Sequence, residues 1–169
     1  MAENYDRKFM KLAMREAEEG YERGDFPVGA VLTFNGRLIG KGNNSNRTNA
    51  EWNSHAESLL IGTYASAIQS CRKEMGLVEL YTTLEPCLMC IGSSVLNRVS
   101  RIVYACPDPN GGAAGIDIEA LPEWYARKWP EIEKGGFRSE SYNLLVNHMR
   151  KHKSWKRILK SFEKMHDSL

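Results

Sequence analysis

Apolar residues in this 169-residue chain recur first at a helical period, then in short strand-like runs, and finally at a helical period again. Tyr5, Phe9, Leu12, Ala13, Ala17 and Tyr21 fall on one helical stripe, with Gly20 placed to end it. Val28 to Phe34 and Arg37 to Lys41 read as two strands. Asn35-Gly36 between them predicts a tight hairpin, because both residues of such a turn must accept positive φ. Residues 42–53, rich in Asn, Ser and Thr, read as a loop, and 54–69 as a helix with Ser54 as its N-cap. A strand over 77–83, a helix over 87–97 with Pro86 suited to its first position, and a strand over 101–105 come next. Strand, helix and strand in that order imply a parallel, right-handed crossover. A hairpin first and a crossover later give an α/β protein with a mixed sheet and helices on its faces.

Pro107-Asp-Pro-Asn-Gly-Gly is a loop. Residues 116–138 are ambiguous: Leu121, Trp124, Tyr125 and Trp129 suggest a short helix, and Pro130 and Gly135-Gly136 break the chain after it. From about 139 to 166 the stripe Tyr142, Leu145, Val146, Met149, Trp155, Ile158, Leu159, Phe162 and Met165 marks one helix or two in series. It falters at His152 and Lys153, where a bend is expected. No internal repeat or low-complexity tract divides the chain, so residues 1–169 read as a single domain with a C-terminal helical segment.

A net charge of +2 says little about partners; its distribution says more. Arg150, Lys151, Lys153, Lys156, Arg157, Lys160 and Lys164 crowd the C-terminal segment against the single acid Glu163. Such a cluster is either a solvated helix face or, beside Trp155, a grip for phosphates with a ring to stack a base. His148 and His152 stand four apart like a metal pair, but without the acid of an HExxH motif they read as part of that basic face. The N-terminus is polar and acidic, and no apolar run is long enough to span a bilayer. A reduced, cytoplasmic protein without a membrane partner is the expectation.

The chemistry concentrates in His55-Ala-Glu57 and Pro86-Cys-Leu-Met-Cys90. One His and two Cys make three ligands, the set that leaves Zn²⁺ an open fourth position, and Glu57 can move protons there. Each part has a plainer reading. Ser54-His-Ala-Glu57 is also a capping box. Cys87-x-x-Cys90 is also a redox dithiol or half of a four-cysteine zinc site, which Cys71 and Cys106 would have to complete. Those two cysteines lack paired spacing and read as core residues. Only the zinc reading uses all the parts: H-x-E followed by P-C-x-x-C is the pattern of zinc-dependent nucleobase deaminases.

Residues 8–115 resemble the cytidine/deoxycytidylate deaminase superfamily, and within it the bacterial tRNA adenosine deaminases. The resemblance lies in Phe26-Pro-Val-Gly-Ala-Val-Leu, Asn35-Gly-Arg-Leu-Ile-Gly, His55-Ala-Glu57, Tyr81-Thr-Thr-Leu-Glu-Pro-Cys-Leu-Met-Cys90, Arg98 to Tyr104 and Asp108-Pro-Asn-Gly-Gly-Ala-Ala-Gly115. It implies a three-layer α/β/α fold around a five-stranded mixed sheet. It also implies one zinc ion per chain on His55, Cys87 and Cys90, with Glu57 as proton shuttle. Asn44, Asp108 and Phe26 become substrate contacts by the same resemblance, although Asn44 and Asp108 read from sequence alone as turn residues. A homodimer with its active sites near the interface is implied as well. The implied substrate is adenosine in a tRNA, with a free nucleobase or nucleoside as the alternative. After Gly115 the chain departs from the tRNA enzymes with Ile116-Asp-Ile-Glu-Ala and a longer insert, which either reshapes the pocket mouth or extends the core. A non-catalytic RNA-binding subunit of this fold would typically lack the Glu, and this chain keeps Glu57.

Overall fold

The computed structural model describes residues 2–167. Helix α1 (Ala2–Arg23) opens the chain, followed by strands β1 (Gly29–Phe34) and β2 (Arg37–Asn43). A one-turn helix α2 (Asn46–Asn49) precedes α3 (Ala56–Thr63) and α4 (Ala65–Lys73). Then come β3 (Val78–Leu84), α5 (Leu88–Leu96) and β4 (Arg101–Cys106). A 3₁₀ turn (Ile118–Ala120), a one-turn α6 (Glu123–Ala126) and β5 (Glu131–Lys134) lead to α7 (Arg138–Lys151) and α8 (Lys156–Asp167). The five strands form one mixed sheet in the order β2-β1-β3-β4-β5. β1 runs antiparallel to β2 and β3, while β3, β4 and β5 run parallel.

Alternation along the central strands divides the core in two. Val31, Tyr81, Val103 and Ala105 bury against Phe9, Met10 and Ala13 of α1. Ala30, Leu32, Leu80, Leu84 and Ile102 bury on the other side, with Ala56, Leu60 and Ile61 of α3, Ile91 and Val95 of α5, and Leu145, Val146 and Met149 of α7. Cys106 is fully buried and Cys71 packs against this second core, so both are core residues as expected. The hairpin forms as read, with Asn35 and Gly36 at φ 47° and 72°.

Several boundaries differ from the sequence reading. Helix α1 passes through Gly20 and stops at Arg23, where Gly24 at φ 89° lets Gly24 N–H reach Tyr21 O and Asp25 N–H reach Gly20 O. Of its stripe, the side chain of Tyr5 lies outside the described residues. The helix expected over 54–69 is two helices, broken at Tyr64, whose ring lies against Gly40 of β2. The loop over 42–53 contains the end of β2 and the turn α2, both stabilised by partners distant in sequence. β5 carries only Ile132 as an apolar residue, so an edge strand of this composition gives no period-two signal. The C-terminal stripe bends at His152, which leaves helical geometry at φ −125°, ψ 115°.

Arg101 ties this sheet to α1. Its guanidinium pairs with Asp6 of α1 at 2.8 Å, Glu79 of β3 at 3.1 Å and Glu133 of β5. Asp6 also accepts a hydrogen bond from Tyr81 Oη at 2.8 Å. The Arg101 hydrogen bonds hold the Asp6 carboxyl below its ordinary value, despite partial burial. Arg101→Met leaves three carboxylates facing one another and is expected to cost about 3 kcal/mol at pH 7, measured by urea unfolding. Because the folded Asp6 pKa is depressed, its share of stability is present above the unfolded pKa of about 4 and fades as pH falls through the folded value. The gap between wild type and variant therefore narrows in acid; a gap that widens would contradict this account.

Candidate metal and active site

Helices α3 and α5 both begin at one end of the sheet, and their first residues carry the site. His55 occupies the N-cap of α3 and Cys87 the N-cap of α5, each in extended conformation. Cys90 lies in the first turn of α5, fully buried. These positions correct the sequence reading, which set Ser54 and Pro86 at the helix starts. Ser54 Oγ instead donates to Glu51 and accepts from Asn49, and Glu57 does not reach back to form a capping box. The physical reason is that both loops are held from outside: Ser54 O accepts from Ser45 N–H, and Pro86 O accepts from Ala113 N–H.

His55 Nδ1 lies 3.6 Å from Cys87 Sγ and 3.5 Å from Cys90 Sγ, and the two sulfurs are 3.7 Å apart. Tetrahedral coordination, with Zn–S about 2.3 Å and Zn–N about 2.0–2.1 Å, separates two sulfurs by about 3.8 Å and sulfur from nitrogen by about 3.6 Å. The three donors therefore fit a tetrahedral zinc with one position open. Among the described residues no other group of three His, Cys, Asp or Glu donors is gathered closely enough to hold a metal. The hydrogen bond between the two sulfurs draws Cys87 down to about 4, and the same bond together with burial pushes Cys90 up. The Cys87 sulfur in turn raises His55.

Glu57 sits beneath these donors. Its Oε1 accepts from Thr82 Oγ1 of β3 at 2.9 Å, and its Oε2 lies 3.5 Å from Cys90 Sγ. Burial raises its pKa, opposed by hydrogen bonds and by the charge of His55. A carboxyl so placed can hold a proton or release it, which suits a group that moves protons.

One cleft of about 540 Å³ gathers the expected residues: Phe26, Asn44, His55, Glu57, Cys87 and Asp108 all line it, and Cys90 lies under its floor. Asn44 is buried; its Oδ1 accepts Asn46 N–H at 3.0 Å, as a turn residue would. Its amide nitrogen has no protein partner among the described residues and is left for the cleft. Asp108 Oδ1 accepts Asn110 N–H at 2.9 Å, so it too is a turn residue that also faces the cleft. The 116–138 segment contributes no lining residue: Trp129 packs against the core, and Trp124 and Tyr125 are exposed. Only its later part joins the core, through Trp129, Ile132 and Phe137.

Sequence reasoning missed the braces and one wall. Fully buried Asp25 accepts the backbone N–H groups of Arg47 and Thr48, each at 2.9 Å, and the Thr48 hydroxyl at 2.6 Å. Arg23 binds Asp25 and reaches Asn44 O at 2.9 Å, so the pair fixes the loop that carries Asn44. Glu85 does the same for the Asp108 loop, accepting Asp108 N–H and Ala114 N–H at 3.0 Å each. These are contacts across tens of residues, and no local motif announces them. The wall is formed by His148, His152, Ser154 and Trp155. His148 is 5% exposed and does not belong to the basic face, a correction to the sequence reading; its ring packs among aromatics.

This chain belongs to a family of deaminases. Its residues 3–106 match the model for the cytidine and deoxycytidylate deaminase zinc-binding region. The tRNA-specific adenosine deaminase of Bacillus subtilis (strain 168) is 37% identical over 140 residues, covering 83% of this chain and 86% of that protein. A solved structure from studies of A-to-I editing by tRNA:A34 deaminases at the wobble position matches with TM-score 0.65 and 32% identity, over 76% of this chain and 98% of that one. Guanine deaminase from Nitrosomonas europaea, 21% identical, shares the fold at TM-score 0.60 over 83% of this chain and 82% of its own. The chain is a hydrolytic deaminase.

Asp25→Ala strands the N–H groups of α2 and releases Arg23. The expected loss is about 2 kcal/mol in urea unfolding, with faster amide exchange at residues 45–49 than in wild type. Exchange unchanged across that loop would show that Asp25 does not brace it.

Proposed function

We propose that this chain is a zinc-dependent deaminase that converts adenosine to inosine in a tRNA. The observation that carries the chemical part is the spacing of His55 Nδ1, Cys87 Sγ and Cys90 Sγ at 3.5–3.7 Å beside the buried carboxyl of Glu57. In this reading each chain holds one Zn²⁺ on those three atoms, and the ion when bound supplies a Lewis acid that lowers the pKa of water to near neutrality. Glu57 takes the proton that the attacking water gives up and hands it to a ring nitrogen of the base. Water oxygen adds to the carbon bearing the amine; Glu57 then takes the remaining proton of that oxygen and delivers it to the departing nitrogen as the carbon–nitrogen bond breaks and the carbonyl forms. Adenosine and water become inosine and ammonia, with the carboxylate restored. Thr82 holds one Glu57 oxygen in place, and the other, 3.5 Å from Cys90 Sγ, faces the metal donors and makes both transfers. The Asn44 amide nitrogen donates to the base, and Phe26 and Asp108 border the substrate.

What supports an RNA substrate is the identity to tRNA-specific adenosine deaminases together with the surroundings of the cleft. Trp52, 85% exposed, and Arg47 stand at its rim, a platform and a cation of the kind that receives an unstacked base and its phosphate. Beyond the Trp155 wall, the side chains of Lys151, Lys156, Arg157, Lys160 and Lys164 are exposed. The cytoplasm, where tRNA is found, is the location this reading requires, and no described helix is long and apolar enough to cross a membrane. A homodimer is part of the same proposal. Leu88, Met89 and Leu96 expose an apolar face on the helix that bears both cysteines, which a second copy would cover next to the site.

The test is inosine formation on an anticodon stem-loop, with zinc quantified in the same preparation. Rapid turnover of a free base and none of the RNA would replace this substrate assignment with a free-nucleobase activity. Glu57→Gln is expected to retain one zinc per chain and lose about 10³-fold or more in kcat. Cys87→Ala is expected to lose both zinc and turnover, and a metal-free Cys87→Ala protein with wild-type activity would remove the metal from the mechanism.

A further inference from the structure

The chemistry above makes no use of His148, yet this residue lines the same cleft as His55, Glu57 and Asn44. Rings surround it: Phe26 edge-on at 5.5 Å, Tyr21 at 6.2 Å, Trp155 at 6.4 Å and His152 tilted at 4.9 Å. Phe26 is itself clamped by Trp155, stacked at 4.8 Å and 14°. Rings of this kind fix the imidazole in place without satisfying it. Among the described residues neither ring nitrogen of His148 has a hydrogen-bond partner, and the side chain lines the cleft. A polar side chain that is 5% exposed and lacks a protein partner is satisfied by what enters the cavity.

The surroundings select the ligand chemistry. Burial first, then the neighbouring His152 and Lys151, hold His148 down at about 4, with Asp25 acting in the opposite sense and Arg47 in the same. A neutral imidazole offers one donor and one acceptor, not a charge. It suits a neutral group able to give and take a hydrogen bond, and it is a poor partner for phosphate. Pairing with His152 to hold a second metal is disfavoured, because no third donor gathers beside them among the described residues.

We propose that His148 is a substrate-binding residue of this cleft that hydrogen-bonds a neutral donor–acceptor group of the nucleotide being deaminated, a sugar hydroxyl or the edge of the base. The proposal rests on the deaminase reading of the site but not on which base is attacked.

The experiment compares wild type, His148→Phe and His148→Gln, full-length and zinc-loaded, on an anticodon stem-loop carrying the target adenosine. His148→Phe fills the same aromatic space without a polar atom and is expected to raise KM about tenfold, with most of the loss in KM rather than kcat. His148→Gln keeps a donor and an acceptor and is expected to stay within about threefold of wild type. A stem-loop with 2′-deoxyadenosine at the target separates the two sources. If the penalty of His148→Phe vanishes there, the partner is the sugar hydroxyl; if it persists, the partner is the base edge. An unchanged KM in His148→Phe on both substrates overturns the proposal. Should wild type act on a free base instead of RNA, the tRNA reading fails, and the same KM ratio measured on that base still decides the role of His148. A readout independent of turnover is the ¹⁵N spectrum of the imidazole during titration of wild type with inosine. A shift at His148 is expected, and its absence at saturating inosine overturns the proposal even if the Phe variant fails to fold.

Discussion

Ala56, Leu60 and Ile61 of α3 and Ile91 and Val95 of α5 bury against Ala30, Leu32 and Leu80 of the sheet, and that shared burial brings the two helix starts side by side. The site is built on this contact. His55 and Cys87 are N-cap residues, so their positions are set by where the helices begin and not by the conformations of long side chains. The positive end of α5 beside Cys87 favours its thiolate, the form a metal binds, whereas burial pushes Cys90 the other way. Three donor atoms held within 4.8 Å of one another are then a consequence of core packing.

The same packing explains why Glu57 is both buried and useful. It points from the first turn of α3 toward β3, where Thr82 meets it on a strand otherwise occupied by Leu80 and Leu84 on that face. An isolated buried carboxylate is costly, and its hydrogen bonds offset only part of that cost. Burial consequently raises its pKa above that of an exposed glutamate.

Around this rigid floor the cleft is built of loops, and loops need external braces to hold a geometry. Arg23 and Asp25 at the end of α1 organise residues 43–48, and Glu85 organises 108–114. The wall formed by α7 and the 3₁₀ turn Lys153–Trp155 is different: it holds by stacking of Phe26 on Trp155 and by the packing of Leu145 and Met149. The cleft is therefore lined by parts of the chain more than a hundred residues apart, whereas the candidate metal donors are confined to the starts of two helices.

Strands β1, β3 and β4, the Asn35-Gly36 hairpin, the parallel crossover and the three metal-ligating candidates with their glutamate are all legible in the amino-acid sequence. Each of these is encoded locally, in a period of apolar residues, a turn that demands positive φ, or a spacing of donors. The fifth strand is not, because its polar Glu-Ile-Glu-Lys pairs only where β4 offers an edge. Nor can His148 be separated in sequence from the charged residues beside it, since its burial depends on how Phe26 and Trp155 come together. These features are settled by the folded chain alone, because the braces of Arg23, Asp25 and Glu85, the Arg101 cluster and the aromatic wall join residues that are neighbours in space and strangers in sequence.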